Sequence, residues 1–264
     1  MTYKFYYYDP TLVGAIIALV LYGTSTLYHV LQLWKFKCYF FTTFIIGAIM
    51  MTMGYVFRAA SSQDQTALGL YIAQSVCLLL PPSLYAATIY MIYGRIVLYA
   101  QSPELSIIAP GKVTKVFVIG DFFAFLFQAS GGGMMAIEST AKIGQNIAII
   151  GLFIQLIFFG VFFAISVVFC HRVEKSKQTK ILHMPYGALL YVLFVVSALI
   201  IIRCVFRVIE FVQGHDGYLM RHEVYMYVFD TIPMFVVQAI FHYYHPAKVL
   251  PQKVAFGRVE TELR

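Results

Sequence analysis

The chain has 264 residues, 61% of them hydrophobic and only 12% charged, against about 25% charged in a soluble domain. With a mean hydropathy of +0.78, this excludes a water-soluble fold. Apolar stretches of about 20–30 residues exclude barrel strands of ~10 alternating residues and predict membrane helices.

Seven spans are expected, at residues 10–33, 38–58, 68–96, 114–136, 144–170, 184–211 and 222–244. The fold class is therefore all-α: a polytopic membrane protein with seven transmembrane helices over residues 1–245 and a basic cytosolic tail over 246–264. Asp9-Pro10 opens span one, with Asp as N-cap and Pro at the first helical position. This span is too long for a signal peptide and lacks a small-residue cleavage site, so it is expected to be retained. It ends with His29-x2-Gln32, read as an interfacial histidine satisfied by water and headgroups.

Span two ends with Gly54-Tyr55-x2-Arg58, whose arginine either snorkels to phosphate or joins a charge cluster. Pro81-Pro82 interrupts span three and frees carbonyls near Cys77 and Leu78, which must find partners or line a polar cavity. Span four carries Asp121 and Gln128 on one face, then Gly131-Gly132-Gly133, read as a packing surface. Asp121 needs a polar partner to stay charged, and Gln155, His29 and Arg95 are the expected ones. Gln155 is the one polar residue deep in span five and is read as interhelical glue.

The densest charge lies in spans six and seven: Arg203-x3-Arg207-x2-Glu210, a short loop, then Glu223-x6-Asp230. An ionisable group in hydrocarbon costs roughly 2.5–3.5 kcal/mol, so this density requires a reason. Helical spacing puts each set on one face. The antiparallel hairpin predicts Glu223 level with Glu210 and Arg207, and Asp230 level with Arg203. Pro233 follows Asp230 by three residues and frees the Phe229 carbonyl beside it. These charges either lock two helices or meet a ligand in a water-accessible outer cavity.

Lys and Arg set the expected orientation. Twelve lie on one side, in the loops at Lys35 and Lys37, Lys112 and Lys115, and His171–His183 and in the tail, against four on the other. The N-terminus is expected outside and the C-terminus in the cytosol. The net charge of +7 fits attraction to anionic lipid rather than nucleic-acid binding. Cys38, Cys77, Cys170 and Cys204 suggest neither a disulfide framework nor a zinc motif, and no cofactor is expected.

Taken together, the residues resemble the fungal lipid-translocating exporter family of seven-helix membrane proteins. The resemblance rests on His29-x2-Gln32, Gly54-Tyr55-x2-Arg58, Ala109-Pro110, Asp121-x6-Gln128 with Gly131–Gly133, and Gly151-x3-Gln155. Its most specific part is Arg203-x3-Arg207-x2-Glu210-x3-Gly214, followed by Glu223-x3-Tyr227-x2-Asp230-x2-Pro233 and His245-Pro246. Family members are linked to release of sphingoid long-chain bases, resistance to aminocholesterol and uptake of protoporphyrin. The resemblance implies a plasma-membrane translocator of amphipathic, lipid-like molecules that confers resistance to toxic amphiphiles. The site residues expected for such a ligand are Arg58, Asp121, Gln128, Gln155, Arg203, Arg207, Glu210, Glu223, Tyr227 and Asp230. The chain departs from the family pattern at Met51, where an acid is frequent, and at Ala247 after the final His-Pro.

Two other functions fit the same topology. A seven-helix receptor or lipid sensor would use the outer cluster as its pocket and the His171–His183 loop as an effector surface. A metal-dependent membrane hydrolase would need His29, His242 and His245 together with Asp121, because three imidazoles and a carboxylate make a zinc site. No Walker A motif is present, so intrinsic ATP hydrolysis is not expected.

Overall fold

In lipid every backbone polar group must be satisfied within the protein, so apolar segments of this length close their hydrogen bonds as helices. The computed structural model describes residues 11–64, 67–99, 103–135, 138–175, 185–214, 217–219 and 221–250. Helices α1 (Leu12–Phe36), α2 (Thr42–Ser61), α3 (Leu68–Leu79), α4 (Pro81–Tyr99), α5 (Pro110–Met135), α6 (Ala141–Lys175) and α7 (Pro185–Gln213) come first. Helices α8 (Glu223–Met226) and α9 (Ile232–Tyr243) follow, joined by a π turn at Tyr227–Thr231. Seven segments are long and apolar enough to cross a membrane, and each overlaps one expected span. No strand occurs among the described residues. The Asp9-Pro10 cap, most of the His171–His183 loop and the tail beyond residue 250 lie outside them.

The third span is two helices in series. The break falls at Leu80, where Pro81 and Pro82 withdraw two donors, and α4 restarts with proline in its first turn. Helix α4 then runs through the middle of the bundle against α2, α5 and α7. Its Tyr85, Ile89, Tyr90 and Tyr93 are fully buried. The Tyr90 ring meets Phe162 edge-on at 4.5 Å and Tyr85 meets Phe44 at 4.5 Å.

Helices α5 and α6 form the most extensive contact in the bundle. Their seam is built from small residues: a Cβ at Gly131 would lie 2.5 Å from the Ala148 nitrogen, and one at Gly151 2.7 Å from the Ala124 oxygen. Backbones approach this closely only where side chains are absent. The packing expected of the glycine run therefore belongs to Gly131. Gly132 and Gly133 face open space. On the opposite side of α5, Ile119, Phe122 and Phe123 are exposed, as suits a lipid-facing surface.

Candidate functional site

Charged side chains collect at the end of the bundle where α2 and α7 finish and α3 and α8 begin. Arg203 and Arg207, one turn apart on α7, both reach Asp230 on the π turn. Arg203 Nε donates to Asp230 Oδ1 at 2.5 Å, and Arg207 Nη2 donates to Asp230 Oδ2. Arg207 Nη1 donates to Glu210 Oε2 at 3.0 Å, the expected i,i+3 pair. Arg203 Nη2 donates to the Leu78 carbonyl at 3.2 Å. That carbonyl sits four residues before Pro82, so the acceptor released by the diproline break is taken up by the charge cluster.

A second group lies alongside. Arg58 from α2 donates to Glu223 Oε1 at 2.7 Å, and Thr11 donates to Glu223 Oε2 through its amide at 2.9 Å and its hydroxyl at 2.8 Å. Arg58 also makes a long hydrogen bond to the Tyr227 hydroxyl, at 3.4 Å, and its guanidinium lies over the Tyr227 ring. Arg58 therefore joins the cluster instead of snorkelling. Arg58 and Arg203 are about as buried as any residue in the chain, at 1% and 0% exposure. Three arginines and three carboxylates leave the whole cluster formally neutral.

Glu223, expected level with Arg207 and Glu210, pairs with other groups. It meets Arg58 and Thr11, and not Arg207 or Glu210. The cause is the π turn at Tyr227–Thr231. An i→i+5 turn holds more residues than an α turn, so positions one heptad apart across it no longer share a face. Asp230 consequently swings between the two arginines, where depth matching pairs it with Arg203 alone. The turn is pinned by hydroxyls: Tyr22 donates to the Thr231 carbonyl at 2.6 Å and Tyr55 to Thr231 Oγ1 at 2.7 Å.

Next to this cluster, between α3, α5, α6 and α7, is a partly enclosed cavity of about 170 Å³. Its polar corner is made by Arg58, Gln74, Gln128, Arg207 and Glu210, and its walls are mostly apolar. Arg207 Nε is buried, out of contact with this space, without a hydrogen-bond partner. Of the ten expected site residues, Arg58, Gln128, Arg207 and Glu210 line this cavity. Glu223, Tyr227 and Asp230 stand behind them as partners of Arg58 and Arg207, with Arg203 holding Asp230, and none of these four lines it.

Gln155 is one step removed. It accepts from Gln128 Nε2 at 2.8 Å and donates to Ser83 at 3.0 Å, which is the interhelical glue expected of it. Asp121 is elsewhere. It accepts from the Tyr90 hydroxyl at 2.8 Å, and none of Gln155, His29 or Arg95 is its hydrogen-bond partner. A phenol supplies the same donor with no charge, and it carries no signal in a chain with 20 tyrosines. The sequence reading also missed Gln74 and Ser75, which line the cavity from α3. Two adjacent polar residues inside an apolar span were the available signal.

At the opposite end of the bundle His29 is satisfied by protein and not by water and headgroups. His29 is fully buried and donates through Nε2 to the Gln238 carbonyl at 3.2 Å. Gln32 donates to the His242 carbonyl at 3.0 Å. The rings of His29 and His242 lie 4.5 Å apart, whereas His245 stacks on Phe36 and accepts from the Ala247 amide. With Asp121 held by Tyr90, no group of three His, Cys, Asp or Glu able to hold a metal forms among the described residues.

Comparison with known proteins gives consistent relatives. The family model described as RTA1 like protein matches residues 44–253. Protein RTA1 of Saccharomyces cerevisiae is 37% identical over 267 residues, covering 90% of this chain and 84% of that protein. Protoporphyrin uptake protein 1 of the same species is 39% identical over 198 residues, covering 75% of this chain and 65% of its own length. Sphingoid long-chain base transporter RSB1 of S. cerevisiae is 24% identical over 277 residues, covering 90% and 72%. The chain thus spans just under two thirds of the protoporphyrin protein. No solved structure matches it.

Proposed function

Since the chain belongs to the RTA1-like family, we propose that it is a membrane translocator of amphipathic, lipid-like molecules. The observation that carries this reading is the cavity beside the arginine–carboxylate cluster, which puts charged groups against apolar walls inside the span region. Charges at such depth are costly and occur where a polar group must enter or pass. Arg207 and Glu210 line the same space as an ion pair, so a donor and an acceptor stand side by side there and the site suits an ammonium, an acidic group or both. Relatives bear the names of a sphingoid long-chain base transporter, a probable lipid transporter and a protoporphyrin uptake protein.

We place the charged end at the outer face and the histidine end in the cytosol, on the Lys and Arg asymmetry, and the protein in the plasma membrane. The reading is of a transporter and not an enzyme, conferring resistance to toxic amphiphiles by moving them. Reconstitution into vesicles tests it. A labelled sphingoid base should cross protein-containing vesicles at least about tenfold faster than protein-free ones. Equal rates, with ligand-dependent recruitment of a cytosolic partner, would support a receptor instead.

A further inference from the structure

The shape of the cavity, taken with the translocation reading on which this inference rests, bears on how a substrate is accommodated. Pockets that enclose most of a drug-sized ligand measure roughly 300–1,000 Å³. The cavity here holds about 170 Å³, which is enough for a polar headgroup and not for a long hydrocarbon tail. The tail therefore needs a way out.

The cavity has a side with little packing. Helix α3 lies along α2 but touches α5 only lightly. Across that gap Ile72, Ser75 and Val76 of α3 face Ala129, Gly132 and Gly133 of α5. A Cβ built on Gly132 or Gly133 would meet nothing within 4 Å, unlike one on Gly131. Ile72 and Gly133 at the mouth are both exposed. Leu126 and Phe127 on α5 and Leu68 on α3 flank the region with further exposed apolar side chains. A gap bordered in this way opens towards hydrocarbon. Gly132 is three residues from the end of α5, or ~4.5 Å along its axis, and Gln128 is about four residues deeper. The mouth thus begins near the headgroup level and leads inward to Gln128, Arg207 and Glu210.

We propose that the cleft between α3 and α5 is a lateral portal. The headgroup of a single-chain amphiphile slides through it to Arg207 and Glu210 while the tail stays in the bilayer, with Gly132 and Gly133 as the sill. The substrate class is then fixed by headgroup size and polarity, and tail length matters little.

The test uses the full chain in vesicles and fluorescent sphingoid bases of graded tail length. Wild-type rates should stay within about threefold of one another along the series. Gly132→Phe and Gly133→Phe should slow transport at least about tenfold, while Gly160→Phe, at another glycine with open space around it but outside the cavity, should not. Should the portal variants fail to fold, Gly133→Cys in a Cys77→Ala background can be blocked after folding with a bulky maleimide. Loss of transport on labelling supports the portal. A sharp tail-length cutoff, or full transport by the blocked protein, overturns the portal and leaves the translocation reading standing. Absence of transport by the wild-type protein overturns both.

Discussion

The two ends of the bundle both bury polar groups against the seventh span, and they do it differently. At the charged end Arg58, Arg203 and Arg207 meet Glu210, Glu223 and Asp230 as ions, beside a cavity that Arg207 and Glu210 line. At the histidine end the network is neutral. Ser25 donates to Gln238 Oε1 at 2.6 Å, His242 Nε2 lies 3.0 Å from the Ser25 hydroxyl, and Gln238 Nε2 donates to the Tyr85 hydroxyl at 2.6 Å. The recess beside His242 is lined by Tyr28, His242 and Tyr243 and does not reach Gln238 or His29. Buried polarity alone therefore does not mark a site in this protein. What distinguishes the charged end is charge next to space, with Arg207 and Glu210 both lining the cavity.

That contrast predicts which substitutions act through stability and which through transport. The largest effect is expected at Asp230. Asp230→Ala leaves Arg203 and Arg207 without their shared carboxylate, and stranding a buried charge costs about 3–5 kcal/mol. Thermal unfolding in detergent should show a large loss. Unchanged stability would mean that water reaches Arg203.

Gln238→Leu examines the neutral end. It leaves the Tyr85 hydroxyl without a partner and Ser25 with His242 alone, at a cost of about 1–3 kcal/mol. Transport per folded molecule should match wild type. A selective loss of transport would extend the functional site to the histidine end and break the comparison.

Arg207→Lys probes the cavity wall. Lysine keeps the charge but cannot hold Glu210 and Asp230 with one planar fork. Vesicle transport should fall about tenfold with little change in unfolding temperature. The smallest effect is expected at Gly132→Ala, which adds a methyl group in open space and should stabilise α5 by about 0.5–1 kcal/mol. Gly131→Ala, one residue away, drives a methyl group into the α6 backbone and should destabilise.

Much of this was legible in the sequence. Span positions and the Arg203–Arg207–Glu210 group stand out because charge inside apolar helices is rare. The diproline at Pro81-Pro82 correctly pointed to a freed carbonyl near Leu78 that seeks a partner. Less visible was anything set by rotation or by common residues. The π turn gives no clear mark at Tyr227–Thr231, and helical spacing alone does not single out Arg58 as the partner of Glu223. Tyr22, Tyr55, Tyr85 and Tyr90 act as hydroxyl donors or acceptors, yet read in sequence as apolar bulk. The cavity depends on α3 standing away from α5, a matter of packing that no local pattern encodes.

The central claim is that Arg207 and Glu210 act on a ligand and are more than a lock between helices. The direct measurement is transport by the double variant Arg207→Met with Glu210→Gln, which removes one matched pair and leaves Arg203 with Asp230. Matched removal of buried ions is often tolerated by the fold, so the variant should unfold within a few degrees of wild type. The account predicts that this folded protein moves labelled sphingoid base at least about tenfold more slowly. Wild-type transport by the same folded variant would contradict it and reduce the cluster to a structural fastening.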